Sequence, residues 1–152
     1  MKETLAPVVL RALASGTVAA AAVAGVASYL GRRKTGSYAA ALNATSHVLW
    51  GEQAAMRNAP SLKYTATGYV ANHGASIFWA LFYELLGLRG RRTPARAVAD
   101  GALVAATAYV VDYHVVPKRF TPGFEKRLPA AGLAAVYTAL ALGLSLRDLL
   151  RR

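Results

Sequence analysis

Four long apolar runs alternate with shorter polar segments along this chain of 152 residues. They cover about 5–30, 64–88, 97–117 and 128–146, close to or above the roughly 20 residues that a helix needs to cross a bilayer. Lipid offers unpaired backbone groups no hydrogen-bond partner, so runs of this length are expected to be helices. The pattern predicts an all-α polytopic membrane protein: a four-transmembrane-helix antiparallel bundle that forms one integral membrane domain over 1–152.

The segment 37–57, between the first two runs, has a pattern of its own. Asn43, His47 and Gly51 fall on one side of a helix drawn through it. Trp50 is a residue type that favours the headgroup level of a membrane. The opposite side carries a stripe at near-heptad spacing, which predicts an amphipathic interfacial helix between the first and second spans: Tyr38, Leu42, Thr45, Leu49 and Met56.

The first apolar run has two interpretations. Lys2 near its start and the small residues Ala22 to Ala24 resemble parts of a cleavable signal peptide. The apolar stretch is longer than the 7–15 residues of a typical signal-peptide core, so we expect an uncleaved spanning helix. Small residues at four-residue spacing predict close helix packing inside the bundle, with a homodimer face as the alternative. They are Gly16, Ala20, Ala24 and Ser28 in this run, and Ala131, Ala135, Ala139 and Gly143 in the last.

Composition supports the membrane interpretation. Hydrophobic residues make up 55% of the chain and charged residues 16%, against about 25% charged in soluble domains. The formal charge of +11 is concentrated in short groups that flank the apolar runs, which argues against a nucleic-acid partner. The absence of cysteine excludes disulfides, thiolate metal sites and cysteine nucleophiles.

The flanking basic groups predict contacts with the headgroups of anionic lipids. With four spans, each side of the membrane receives nine Lys and Arg residues, so the excess of positive charge in cytoplasmic loops gives no orientation. The dense group from Arg89 to Arg96 in one short loop favours cytoplasmic termini. The residues predicted to contact headgroups are Arg32, Arg33, Lys34, Arg91, Arg92, Lys118 and Arg119.

Ionisable residues inside the spans are the candidates for chemistry, because they are costly in a membrane. Only about eight residues join the second and third spans, so these should pair as an antiparallel hairpin. That hairpin places His73 at the level of Val110, within one turn of Asp112 and His114, and Glu84 next to Asp100 near the arginine-rich loop. The sequence therefore predicts two buried polar layers, with a hydrogen bond from His73 or Tyr69 to Asp112 in the first.

The first layer has three interpretations. Structural hydrogen bonding between helices is the leading one. A metal or haem site built from His73, His114, Asp112 and His47 is the alternative, since imidazole and carboxylate groups bind transition metals and paired imidazoles bind haem. On a regular helix, however, Asp112 and His114 point about 200° apart. A proton or ion pathway through His73 and Glu84 is the third.

No complete catalytic set is recognised, so we expect a non-enzymatic membrane component: an accessory subunit or a homo-oligomer in a bacterial-type inner (plasma) membrane, with both termini cytoplasmic. A metal- or haem-binding membrane protein and a small proton- or ion-coupled transporter are the alternatives. The expected partners are membrane lipids with anionic headgroups, and other membrane subunits or a second copy of the chain. No cofactor is expected unless the metal or haem interpretation holds.

Overall fold

A computed structural model describes residues 5–151, and this part of the chain is helical without any strand. Four helices are long: α1 (Leu5–Thr35), α5 (Thr67–Gly87), α6 (Pro94–Val110) and α7 (Ala130–Leu150). Three short ones, α2 (Ala40–Thr45), α3 (His47–Trp50) and α4 (Glu52–Ala55), lie between α1 and α5. Leu62–Ala66 and Val111–Val115 form π-helical turns, while Lys118–Phe120 and Phe124–Lys126 form 3-10 turns. The all-helical class predicted from the apolar runs is confirmed.

Local sequence signals explain where the long helices begin and end. Thr93 caps α6 by accepting a hydrogen bond from the backbone N–H of Arg96 at 3.2 Å, and Pro94 occupies the first turn. Gly36 follows the last residue of α1 with φ +79°, the left-handed conformation that favours glycine after a helix. Val116 is extended because it precedes Pro117, so the helical segment that follows α6 ends at Val115.

Helix α1 is the central element of the bundle. It packs extensively against α5 and α7, and α7 packs against α6. The α5–α6 hairpin forms, but its two helices contact each other much less than the sequence analysis assumed. A groove of about 580 Å³ separates them along part of their length, with aromatic side chains of α5 on one side.

The helix interfaces consist mainly of small residues, which lets backbones approach closely. A Cβ atom added to Gly16 would lie 2.6 Å from the Ile77 Cα on α5. The same addition at Gly143 of α7 would lie 2.5 Å from the Ala19 Cα on α1. Gly16, Ala19 and Gly143 are therefore used in packing within one chain.

The segment 37–57 differs from the single interfacial helix that the sequence predicted. Gly51, at φ +75°, interrupts it between α3 and α4. Every residue of α2 is buried, and α2 packs against α1 and α5 rather than lying along a membrane surface. The predicted apolar stripe is split as a result: Leu42 and Thr45 are buried inside the protein, whereas Tyr38, Leu49 and Met56 are exposed.

Within residues 5–151, two helices are long and apolar enough to cross a membrane by length and composition, namely α1 and α7. Helix α5 carries Asn72, His73 and Glu84, which lower its apolar character. Helix α6 has 17 residues before the π-helical turn at Val111 extends it.

Candidate functional site

One end of the bundle holds a dense group of charges that we call the arginine cluster: Arg92 with Tyr83, Glu84, Asp100 and Asp148. Arg92 donates through Nε to Asp100 Oδ2 and through Nη1 to Asp148 Oδ2, both at 3.0 Å. Its guanidinium carbon lies 3.7 Å from the centre of the Tyr83 ring, and Arg92 also donates to the Tyr83 carbonyl oxygen. Only 7% of the Arg92 side chain is exposed, so its charge is neutralised inside the protein.

Helix α1 contributes to this cluster through contacts with Glu84 of α5. The Ser15 hydroxyl donates to Glu84 Oε1 at 2.9 Å, and Glu84 Oε2 lies 3.8 Å from both Arg11 Nε and Arg92 Nη1. The Tyr83 hydroxyl donates to Asp148 Oδ2 at 2.8 Å, which ties α5 to α7. An open cavity of about 950 Å³ borders the cluster. All four long helices or their ends are thus joined by one network.

The second predicted polar layer, Glu84 and Asp100 beside the arginines, is brought together in this cluster. Both carboxylates face Arg92, and Asp100 Oδ2 also lies 3.8 Å from Arg96 Nε. The prediction that Arg92 contacts lipid headgroups needs correction, because Arg92 begins the turn into α6 and points into the bundle. Its neighbour Arg91 is exposed.

At the opposite end, Asp112 lies in the π-helical turn that continues α6. The Tyr137 hydroxyl of α7 donates to Asp112 Oδ2 at 2.6 Å. The Tyr137 ring packs edge-on against Tyr109 and also contacts Tyr113, with ring centroids 5.4 Å and 6.1 Å away. Asp112 and Tyr137 line a cavity of about 260 Å³. Single π-helical turns of this kind are frequent at functional sites.

His73 does not pair with Asp112 as the sequence predicted. Its Nε2 lies 2.9 Å from the Thr17 hydroxyl on α1, and its ring packs on Tyr69 at 5.8 Å between centroids. The predicted pairing requires that the antiparallel helices α5 and α6 pack closely against each other. Because α1 packs on α5 and α7 packs on α6, His73 and Asp112 take partners from those two helices instead.

The other two histidines lie apart from this layer. His47 is buried, with Nε2 2.8 Å from the Thr121 carbonyl oxygen and Nδ1 3.7 Å from Glu52 Oε1. His114 is exposed and packs against Tyr109. The structure therefore does not bring His47, His73, His114 and Asp112 together as metal ligands. Over the described part of the chain, no group of three or more His, Asp or Glu side chains is placed to hold a metal ion.

The remaining residues predicted to contact headgroups stay at the surface. Arg33, Lys34, Lys118 and Arg119 are exposed. Arg32 is exposed too, and its guanidinium carbon lies 4.4 Å from the centre of the Tyr38 ring. Arginine and tyrosine stacked in this way are compatible with a membrane interface.

Sequence reasoning missed several participants in these sites, among them Asp148, Tyr137 and Phe124. Asp148 lies just outside the predicted span 128–146. Tyr137 lies inside that span, which carries no charged residue to mark a site. A tyrosine in the middle of an apolar run was the signal, since a buried hydroxyl needs a partner. Phe124, which lies in a turn between polar residues, is buried against the cavity.

No protein-family model, curated protein or solved structure matches this chain. The fold and the two polar sites therefore carry the functional proposal.

Proposed function

We propose that this chain is a four-span integral membrane protein that acts as a non-enzymatic membrane component. The observation that carries the proposal is the distribution of large apolar side chains, which are exposed on all four long helices. Exposed apolar surface of this extent needs lipid or a partner to cover it. The exposed residues include Leu10 and Val18 on α1, Val70, Phe78 and Phe82 on α5, Leu103 and Val110 on α6, and Leu142 and Leu146 on α7.

The buried residues of the long helices are small, in contrast to the large apolar residues on the surface. The buried positions of the long helices are mostly alanine, glycine and serine, such as Ala19, Ala80 and Ala108. Large residues outside and small residues inside are typical of helices that pack in lipid, where the hydrophobic effect gives no advantage to burying the large ones. The same distribution would leave a soluble four-helix bundle with its apolar residues in water.

The polar residues of α5 are compatible with a span because each has an internal partner. The Asn72 amide donates to the Ala20 carbonyl oxygen at 3.0 Å, His73 meets Thr17, and Glu84 meets Ser15. All three partners lie on α1: Asn72 and Glu84 are buried against it, and the His73–Thr17 contact lies at the exposed edge of the interface. Polar groups paired between helices are tolerated inside a membrane.

The exposed basic residues at the two ends of the bundle support the proposal that these ends lie at the membrane interfaces. Exposed Arg32, Arg33 and Lys34 lie at one end, and exposed Arg91 lies at the other. Anionic lipid headgroups are the partners that such groups attract. We place the loop with Arg91 in the cytoplasm together with both termini, in a bacterial-type inner membrane, because this short loop carries the densest basic group.

The role within the membrane is that of an accessory subunit or a self-associating component. Arg92 forms ion pairs with Glu84, Asp100 and Asp148, so we assign these four residues a structural role. The apolar exteriors of α5 and α6 are the surfaces that lipid, another subunit or a second copy would cover.

Single-cysteine labelling tests the topology directly, since the natural chain contains no cysteine. Exposed positions Ala59, Arg91 and Lys118 are replaced by cysteine one at a time in the full chain. A membrane-impermeant maleimide is then applied to sealed vesicles. Four spans place Arg91 on one side of the membrane and both Ala59 and Lys118 on the other. If only α1 and α7 crossed the membrane, all three would label from the same side.

Two controls accompany the labelling. Each variant is labelled again after detergent solubilisation, which establishes that its thiol can react. Leu103→Cys, on the exposed apolar side of α6, should resist the reagent in intact vesicles and react after solubilisation. Recovery of the unmodified protein in the soluble fraction without detergent would overturn the proposal.

A further inference from the structure

The cavity beside Asp112 has features that the proposed membrane role does not use. It measures about 260 Å³ and lies between α1, α5 and α7, beneath the chain segment 118–126. This volume is slightly below the roughly 300–1,000 Å³ of typical ligand pockets, which restricts an occupant to a small molecule. Most of the wall is apolar, and Val23, Val136 and Leu140 are among its residues.

Aromatic rings surround the cavity. Trp79 of α5 and Phe124 of the 3-10 turn are 7% and 4% exposed, so packing holds both rings in place. Tyr137 contributes a third ring from α7, and the exposed Phe120 lies at the rim. The faces of such rings carry negative potential, which attracts cations.

Asp112 adds a carboxyl group, which is negatively charged when ionised, to this aromatic wall. Within residues 5–151 it is the only charged side chain that lines the cavity. The Tyr137 hydroxyl is the hydrogen-bond partner found for it in that range, and no ion pair there includes it. A carboxylate that is partly buried in largely apolar surroundings without a cation is costly. A positively charged ligand would supply the missing partner.

The local backbone explains why Asp112 reaches the cavity. Pro117 forces Val116 into an extended conformation, so the helical segment after α6 must end there. Its final turn widens into the π-helical conformation, and Asp112 lies within that turn against α7. His114, two residues further on, is exposed on the other side.

We propose that this cavity binds a small organic cation of the alkyl- or arylammonium class. The ammonium group pairs with Asp112 and lies against the aromatic faces of Trp79, Phe124 and Tyr137. The apolar substituents of the ligand contact Val23, Val136 and Leu140. This ligand class combines one positive charge with an apolar body, which matches one carboxylate in an apolar, aromatic wall.

A fluorescence titration tests the proposal with the full chain in detergent. The chain has two tryptophans, so Trp50→Phe leaves Trp79 as the only one, on the cavity wall. Benzyltrimethylammonium is added to this background protein, and the binding curve is repeated by calorimetry. Saturable binding is expected, and it should weaken at least about tenfold in Asp112→Asn, because the ion pair is lost.

Three comparisons make the result specific. Glu52→Gln removes an exposed carboxylate outside the cavity and should leave binding unchanged. Neopentylbenzene, the neutral carbon isostere of the probe, should bind at least about tenfold more weakly. Tyr137→Phe keeps the ring and the carboxylate but removes the competing hydroxyl, so binding should be as tight or tighter.

Several outcomes would overturn the proposal. They are no saturable binding by the background protein, equal binding by Asp112→Asn, equal binding of the neutral isostere, and loss of binding in Tyr137→Phe. Size-exclusion elution and thermal unfolding establish that Asp112→Asn is folded. If it is not, the Tyr137→Phe and isostere results decide the matter by themselves.

Discussion

The two ends of the bundle bury carboxylates in opposite ways. At the arginine cluster, Asp100 and Asp148 share one buried guanidinium, and Glu84 lies within 3.8 Å of the same group. At the other end, Asp112 has a tyrosine hydroxyl as its partner and an open cavity beside it. At the arginine cluster the chain supplies the cation that neutralises its own carboxylates. At the cavity end, the proposed ligand would supply the cation for Asp112.

The difference follows from where the arginines lie in the sequence. The short loop before α6 places Arg92 next to the start of α6 and the end of α7, so Asp100 and Asp148 both reach it. Lys118 and Arg119, the basic residues that follow Asp112, lie beyond Pro117 and are exposed. Basic side chains therefore lie near both ends, but only the arginine cluster brings one into hydrogen-bond contact with the carboxylates that it neutralises.

The largest expected effect comes from breaking the arginine cluster. Arg92→Met should destabilise the fold by about 3–5 kcal/mol, because it removes the buried cation that hydrogen-bonds Asp100 and Asp148 and leaves each of them only a more distant arginine. The free energy of unfolding in detergent, measured by denaturant titration, tests this. Arg91→Met is the matched control: Arg91 is exposed in the same loop, so its replacement should change stability by no more than about 0.5 kcal/mol. Equal effects of the two variants would show that the cluster contributes little.

A second comparison applies the same substitution at each end. Asp148→Asn should cost about 1.5–3 kcal/mol, since it weakens a charged hydrogen bond with Arg92. Asp112→Asn should cost less than about 1 kcal/mol, because an amide oxygen still accepts the Tyr137 hydrogen bond. Unfolding free energies of both variants measure the contrast. A larger loss in Asp112→Asn would mean that the cavity end also depends on its charge for stability.

The smallest expected effect concerns an exposed ion pair near the cavity end. Lys126 Nζ lies 2.8 Å from Glu52 Oε2, and this hydrogen bond lowers the pKa of Glu52 below its ordinary value of 4.5. Because the folded pKa is the lower one, the pair stabilises the fold above the unfolded pKa, and this contribution is lost as pH falls through the folded pKa.

Melting temperatures of the parent and Glu52→Gln across the acidic range test this pair. The parent should lose more stability than the variant as pH falls, and added salt should reduce the difference. Lys118→Gln, which changes another exposed lysine of the same segment, should follow the parent. Parallel curves for the parent and Glu52→Gln would show that the pair has no effect on stability.

The sequence was sufficient for the helical class and for the approximate positions of the long helices, because apolar runs and the signals at Thr93, Gly36 and Pro117 are local. It also indicated that Glu84 and Asp100 lie beside arginines, since a short loop fixes that depth. It was wrong about the partner of His73, because neighbour relations among four helices depend on packing. Small residues such as Gly16 and Gly143 allow close approach without specifying which helix approaches.

The segment between α1 and α5 shows a second limit. The near-heptad stripe from Tyr38 to Met56 predicts an amphipathic helix on a membrane surface. In the structure, α2 is instead buried and packs against α1 and α5. Its position depends on Gly68, whose missing side chain lets the Leu42 carbonyl group touch the α5 backbone. A contact between residues this far apart leaves no periodic signal in the sequence.

The central position of α1 also affects the order in which the protein is assembled. Helix α1 precedes α7 by nearly the whole of the bundle along the chain, yet the close backbone contact between Ala19 and Gly143 joins these two helices. One of the two principal faces of α1 therefore stays uncovered while the ribosome makes more than a hundred further residues. The α1–α7 interface can therefore form only after Gly143 has been synthesised, later than the α1–α5 interface, so the helices of this bundle pack in an order set by the chain.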